Sequence, residues 1–178
     1  MARLIALLRA VNVGGRKLPM AELRDLCVEL GWKQVETYIQ SGNLVFHAKG
    51  RSEALEARLE KAIKERFGLD VPAIVRTASQ WADCLAANPF AEVARRAPNR
   101  LQLLVSKRPP AAGAAEKLTE RAQAGERVEP AGGALWLHYP EGVGRSKLTP
   151  ALIDKACGSP STARNWRTAV KLREMAET

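Results

Sequence analysis

The sequence predicts an α+β fold: a ferredoxin-like βαββαβ sandwich over residues 1–94, then a second, related βαββα subdomain and a C-terminal helix over residues 95–178. Three observations predict it. Short apolar runs alternate with helical-period stretches in the order β-α-β-β-α-β, the split βαβ pattern. The order β-α-β-β-α begins again past residue 100. The composition, 46% apolar and 26% charged over 178 residues, is that of a globular chain long enough for one ordinary domain or two small ones.

The elements follow in order. Arg3–Val13 is rich in Leu, Ile and Val and reads as a buried strand. Val13-Gly14-Gly15-Arg16-Lys17-Leu18-Pro19 is a loop rich in breakers. Met20, Leu23, Leu26, Cys27 and Leu30 recur at helical spacing up to Gly31. Val35–Ile39 and Leu44–Ala48 flank Gln40-Ser41-Gly42-Asn43 as a hairpin. Leu55, Leu59, Ile63 and Phe67 mark one face of a long helix capped by Ser52 and ended by Gly68. Val71–Thr77 is a strand, and Ser79 opens a short helix through Ala87. In the second half, Leu101–Ser106 is a strand and Ala111–Ala124 an Ala-rich helix. Arg127–Glu129 and Ala134–Tyr139 form a hairpin around Pro130, Ala131, Gly132 and Gly133. Helices follow near Pro150–Cys157 and Thr162–Ala176.

Leu8-Arg9-Ala10-Val11-Asn12-Val13-Gly14-Gly15, Thr37 through Phe46, Asn88-Pro89-Phe90 and Ser161 through Thr168 resemble the signatures of the DUF1697 family, bacterial proteins of unassigned function. The matching segments lie at the start, middle and end of the chain. The resemblance implies an α+β, ferredoxin-like arrangement. It supplies no activity, cofactor or catalytic residue.

The formal net charge is +9, from 28 Lys and Arg against 19 Asp and Glu. It is uneven: residues 1–94 carry 13 basic and 11 acidic side chains, and residues 95–178 carry 15 and 8. Excess base favours an anionic partner or serves only solubility. The first apolar run, Leu4–Leu8, is too short for a signal peptide or a membrane span. A cytoplasmic location without membrane attachment is the expectation. Cys27, Cys84 and Cys157 are odd in number and far apart, which fits neither a disulfide framework nor a zinc site. No metal or cofactor motif is present. Cys27 and Cys84 read as core thiols and Cys157, at a helix end, as the more exposed one.

A βαββαβ sandwich places the end of the first strand beside the first hairpin. That brings Asn12, Gly14, Gly15, Arg16 and Lys17 toward Gln40, Ser41 and Asn43. Two glycines open the backbone to a ligand, two cations attract an anion, and the next helix begins at Pro19. The loop matches neither GxxxxGK[ST] nor GxGxxG. The same residues also suit a tight turn and an amide network. Arg164, Arg167 and Lys171 at i, i+3 and i+7 predict a basic face on the terminal helix, joined by Arg145 and Lys147.

These features predict a protein that binds an anionic ligand, either a phosphorylated small molecule or single-stranded nucleic acid. An enzyme using Tyr38 or Ser41 at the same end of the sheet is the rival reading. A third is an assembly protein whose exposed sheet or terminal helix forms a homodimer.

Overall fold

The computed structural model describes every residue, Met1–Thr178. The chain divides into two compact units, one of Met1–Trp81 with Leu172–Thr178, the other of Ala82–Lys171. The second unit therefore begins ahead of residue 94. Within it the Phe90 ring lies 6.1 Å from that of His138, and Gly132 sits against Cys84 and Ala87.

The first unit runs β1 (Ala2–Leu8), α1 (Met20–Glu29), β2 (Lys33–Tyr38), β3 (Asn43–Ala48), α2 (Ser52–Phe67), β4 (Ala73–Thr77) and the start of α3 (Ala78–Ala86). Its sheet has the order β2-β3-β1-β4, and every neighbouring pair is antiparallel. This is the ferredoxin-like arrangement. Alternate strand residues, Leu4, Ala6 and Leu8 with Leu44 and Phe46, meet Leu23 and Cys27 of α1 and Leu55, Leu59 and Ile63 of α2 in one core. Trp32, just beyond α1, stacks on Phe46 at 4.1 Å. Ile5 and Leu7, on the other face of β1, are buried too. Burial on both faces explains why this strand reads as an unbroken apolar run.

The second unit contains α4 (Ala91–Arg96), β5 (Leu101–Ser106), α5 (Ala114–Arg121), β6 (Arg127–Ala131), β7 (Ala134–His138), α6 (Pro150–Cys157), β8 (Ser161–Asn165) and the start of α7 (Trp166–Glu177). Its sheet order is β6-β7-β5-β8, again antiparallel throughout. Leu104, Leu135 and Leu137 pack against Leu118 of α5 and Ile153 and Cys157 of α6. The second unit is thus a complete βαββαβ repeat of the first.

Four expectations need correction. The first strand ends at Leu8 instead of Val13, because Ala10 and Asn12 take left-handed φ of 54° and 55° and turn the chain. Ser161–Asn165 is a strand rather than the start of the last helix, and pairs with β5 from Ser106↔Ser161 to Gln102↔Asn165. The cap of α7 is then Asn165, whose Oδ1 accepts from the Thr168 N–H at 2.9 Å. Pro130 and Ala131 extend β6 beyond Glu129, and β6 is an edge strand, where proline is tolerated. Cys157 is buried rather than exposed.

In both units helix side chains accept from N–H groups of the last strand. In the first, Val75 N–H donates to Glu56 Oε1 at 2.8 Å, Ala73 N–H to Glu60 Oε1 at 2.8 Å, and Thr77 N–H to Gln80 Oε1 at 2.9 Å. In the second, Asp154 Oδ1 accepts from Ser161 N–H at 3.0 Å and from Ser161 Oγ at 2.8 Å. Glu56 and Glu60 are one helical turn apart, which matches alternate residues of a strand. A sheet edge satisfied in this way is closed to pairing with a second chain.

Candidate functional site

Beyond β1 the chain makes a tight loop. Asn12 N–H donates to Arg16 O at 2.6 Å and Arg16 N–H to Val13 O at 3.1 Å. Gly14 and Gly15, at φ 58° and 80°, supply the left-handed corner. The Asn12 side chain holds this loop to the hairpin. Its Nδ2 donates to Leu18 O at 3.0 Å and to Gln40 O at 2.7 Å, and its Oδ1 accepts from Leu18 N–H at 2.9 Å. Both amide donors and the acceptor are thereby engaged with backbone, so Asn12 positions the loop.

The hairpin turn has its own support. Asn43, fully buried, donates from Nδ2 to Tyr38 O and to Ser41 Oγ, both at 2.9 Å. Leu8 N–H donates to Gly42 O at 2.8 Å. A Cβ on Gly42 would lie 2.7 Å from Val11 Cγ2 and 2.8 Å from Leu8 Cβ. Only glycine lets the turn come this close to the end of β1.

Asn12, Gly15, Arg16, Lys17, Pro19 and Gln40 line an open depression of about 530 Å³. Five of the eight residues predicted for this end of the sheet therefore share one concavity. Gly14 shapes the loop, while Ser41 and Asn43 support the turn. Arg16 is half-buried and its Nη2 donates to Asp70 O at 2.5 Å. That bond leaves guanidinium donors for a ligand. Lys17 is exposed. The lining holds two cations, amides, glycine and proline, with no carboxylate, imidazole or thiol. Such a set can hold an anion and orient it, but it offers no side-chain base.

The basic residues predicted at the C-terminal side do not form one helical face. Arg164 lies on β8, is 8% exposed, and donates to Thr162 Oγ1 at 2.8 Å and to Ala163 O at 2.9 Å. Burial pushes its pKa down to about 10. Arg167 and Lys171 are exposed on α7, and Arg145 and Lys147 are exposed in the segment before α6. Ser146, between the last two, donates to the buried Glu126 carboxylate at 2.7 Å. Trp166, the first residue of α7, lies 5.8 Å from Trp136.

One cluster escaped the sequence reading. Arg127 lies over the Phe90 ring at 4.9 Å, and His138 Nδ1 is buried without a partner. Burial first, then Arg127 and Arg100, push the His138 pKa below its ordinary 6.5. Asn88-Pro89-Phe90 was the available signal: Asn88 Oδ1 accepts from Phe90 N–H at 2.8 Å and fixes the ring's approach. Burial raises the Cys27 thiol to about 12 and the Cys157 thiol to about 11, which keeps both from forming the reactive thiolate. No group of His, Cys, Asp and Glu side chains is placed to hold a metal ion. No helix is long and apolar enough to cross a membrane.

Among solved structures, the chain is similar to a conserved bacterial protein, SP0830, from Streptococcus pneumoniae. The two share 22% identity with a TM-score of 0.79, over 100% of this chain and 99% of that one. This likeness concerns the fold. No curated protein matches the sequence. Residues 1–136 match the family described as a protein of unknown function, DUF1697, a span that includes the whole loop and hairpin just described. The chain belongs to the DUF1697 family.

Proposed function

We propose that the protein binds a small anionic ligand, a phosphorylated small molecule, in the depression between the β1–α1 loop and the β2–β3 turn. The observation that carries this is the lining itself: Arg16, Lys17 and Gln40 in one concavity of about 530 Å³. That volume suits one small molecule. Arg16 and Lys17 hold the charge. The Gly15 backbone and Gln40 orient the ligand, and Asn12 and Asn43 keep the two walls in place. The first turn of α1 starts beside Pro19 with N–H groups free of helical partners.

A single strand of nucleic acid would need an extended run of cations. Of the predicted basic surface, the exposed residues are two short pairs, Arg167 with Lys171 on α7 and Arg145 with Lys147 ahead of α6, not an extended run. The small-ligand reading is therefore preferred. An amide-and-cation lining favours binding over catalysis at Tyr38 or Ser41. Three buried cysteines, none of them in a disulfide, suit the reducing cytoplasm, where we place the protein.

Titration of the purified chain with inorganic phosphate, read by calorimetry and by thermal shift, tests the reading. Saturable binding that disappears in the Arg16→Ala/Lys17→Ala double variant is expected. Unchanged affinity in that variant overturns the site assignment. Binding to short DNA or RNA that weakens steeply with salt would restore the nucleic-acid version.

A further inference from the structure

Two large apolar side chains adjoin lining residues in the chain and are exposed. Val13 is 56% exposed and Ile39 is 50% exposed. Val13 pairs with Arg16 across an isolated β-bridge. Directly paired residues project to the same side, so Val13 stands beside the cation that lines the depression. Ile39 immediately precedes Gln40, the hairpin's contribution to the lining.

Ile39 is anomalous in a second way. It is β-branched yet takes a φ of 50°, a conformation that such residues almost never adopt. Asn, Asp or Gly would hold the same turn with less strain. A strained residue that buries its side chain can recover the cost in packing. Ile39 leaves half of its side chain in water. Of the other left-handed non-glycine residues, Ala10 and Asn12 stand at this end of the sheet and Gln34 at the far end of β2. Clustered strain of this kind marks places where the backbone is held for a ligand.

We infer that the ligand is an organic phosphate carrying an apolar group next to its phosphate, with the phosphate on Arg16 and Lys17 and the apolar group against Val13 and Ile39. The inference rests on the anion reading of the depression and names the class of ligand it takes. It accounts for the exposure of Val13 and Ile39 and for an isoleucine where a turn residue would strain less. A purely polar phosphate uses neither side chain.

Three probes of similar charge and different apolarity test it: inorganic phosphate, glycerol 3-phosphate and phenyl phosphate. Covering the exposed halves of Val13 and Ile39 is expected to make phenyl phosphate bind about fivefold tighter than glycerol 3-phosphate. Ile39→Asn is expected to remove most of that preference and to raise the melting temperature, because Asn tolerates the left-handed turn. Val13→Ser, in which the loop backbone is unchanged, is expected to reduce the preference without raising the melting temperature. Equal affinity for the two organic phosphates, unchanged in both variants, overturns the inference while leaving the anion site standing. If none of the three probes binds, the anion reading itself fails and takes the inference with it.

Discussion

The two units have the same strand order and connections, and each has a concavity where its first strand ends. In the first unit the β1–α1 loop and the β2–β3 turn enclose Asn12, Gly15, Arg16, Lys17 and Gln40. In the second the β5–α5 loop and the β6–β7 turn enclose a depression of about 380 Å³ lined by Pro109–Glu116 with Pro130, Ala131 and Gly133–Leu135. Proline, alanine and glycine dominate there, and Glu116 is its only charged residue. The backbone frame is shared and the chemistry is not. The frame supplies a concavity at this end of each sheet, and the loop residues alone decide what it can hold.

The turns differ in the same sense. Gly42 and Gly133 each immediately precede the third strand of their unit, with φ of 83° and 75°. Gly42 is pressed against Leu8 and Val11, whereas a Cβ on Gly133 would meet nothing within 4 Å. Gly42→Ala should cost about 3 kcal/mol, from left-handed strain plus overpacking, and Gly133→Ala about 1 kcal/mol from strain alone. Chemical denaturation of the two variants measures the difference. Equal losses would mean that crowding at Gly42 adds nothing to the left-handed strain the two positions share.

The next effect concerns the amide that ties loop to turn. Asn12→Ala removes three hydrogen bonds to backbone and should destabilise the chain by about 2 kcal/mol. It should also weaken phosphate binding although Asn12 carries no charge. Stability curves and calorimetry together check this. A loss of stability without loss of affinity would make Asn12 a purely structural residue.

Edge closure supplies a smaller effect. Glu56→Ala uncovers the Val75 N–H in a buried setting and should cost about 1.5 kcal/mol. It also opens the β4 edge, so solution mass should show more self-association than the parent chain. Asp154→Ala does the same to β8.

The smallest effect is a pH dependence confined to the second unit. Burial works against the ionised Glu126 carboxyl, but hydrogen bonds from Ser146 Oγ and Ala124 N–H outweigh it and hold its pKa below the ordinary 4.5. A depressed folded-state value gives stability that is present above 4.5 and lost as pH falls through the folded value. Glu126→Gln should therefore flatten the melting-temperature profile below pH 4.5 and leave the neutral range parallel to the parent chain. An unchanged acid limb would assign that stability to other carboxylates.

Much of this molecule is legible in the order of its residues. Apolar alternation and helical spacing locate β1 through β7, and the Gly-Gly-Arg-Lys loop with the Gln-Ser-Gly-Asn turn locates the concavity. Strand β8 hides because Ser161-Thr162-Ala163-Arg164-Asn165 is short and polar, and because Ser and Thr before an amphipathic stretch look like a helix cap. The repeat was the better guide: a second βαββα needs a final strand beside β5 to complete the order of the first. The edge closures are invisible for another reason. Glu56 and Glu60 look like solvated helix residues, and their partners Val75 and Ala73 lie 19 and 13 positions away. The closeness of Gly42 to Leu8 and Val11 likewise exists only once the sheet has formed.

The proposed anion site is the first unit's concavity and not its counterpart. Phosphate titration of the isotopically labelled chain, followed by backbone amide NMR, tests it most directly. Saturable shifts at Gly15, Arg16, Lys17 and Gln40, with Ala111–Glu116 and Ala131–Leu135 unmoved, are the predicted result. Shifts centred on the second unit's loop and turn, or no saturable shift in either, would contradict it.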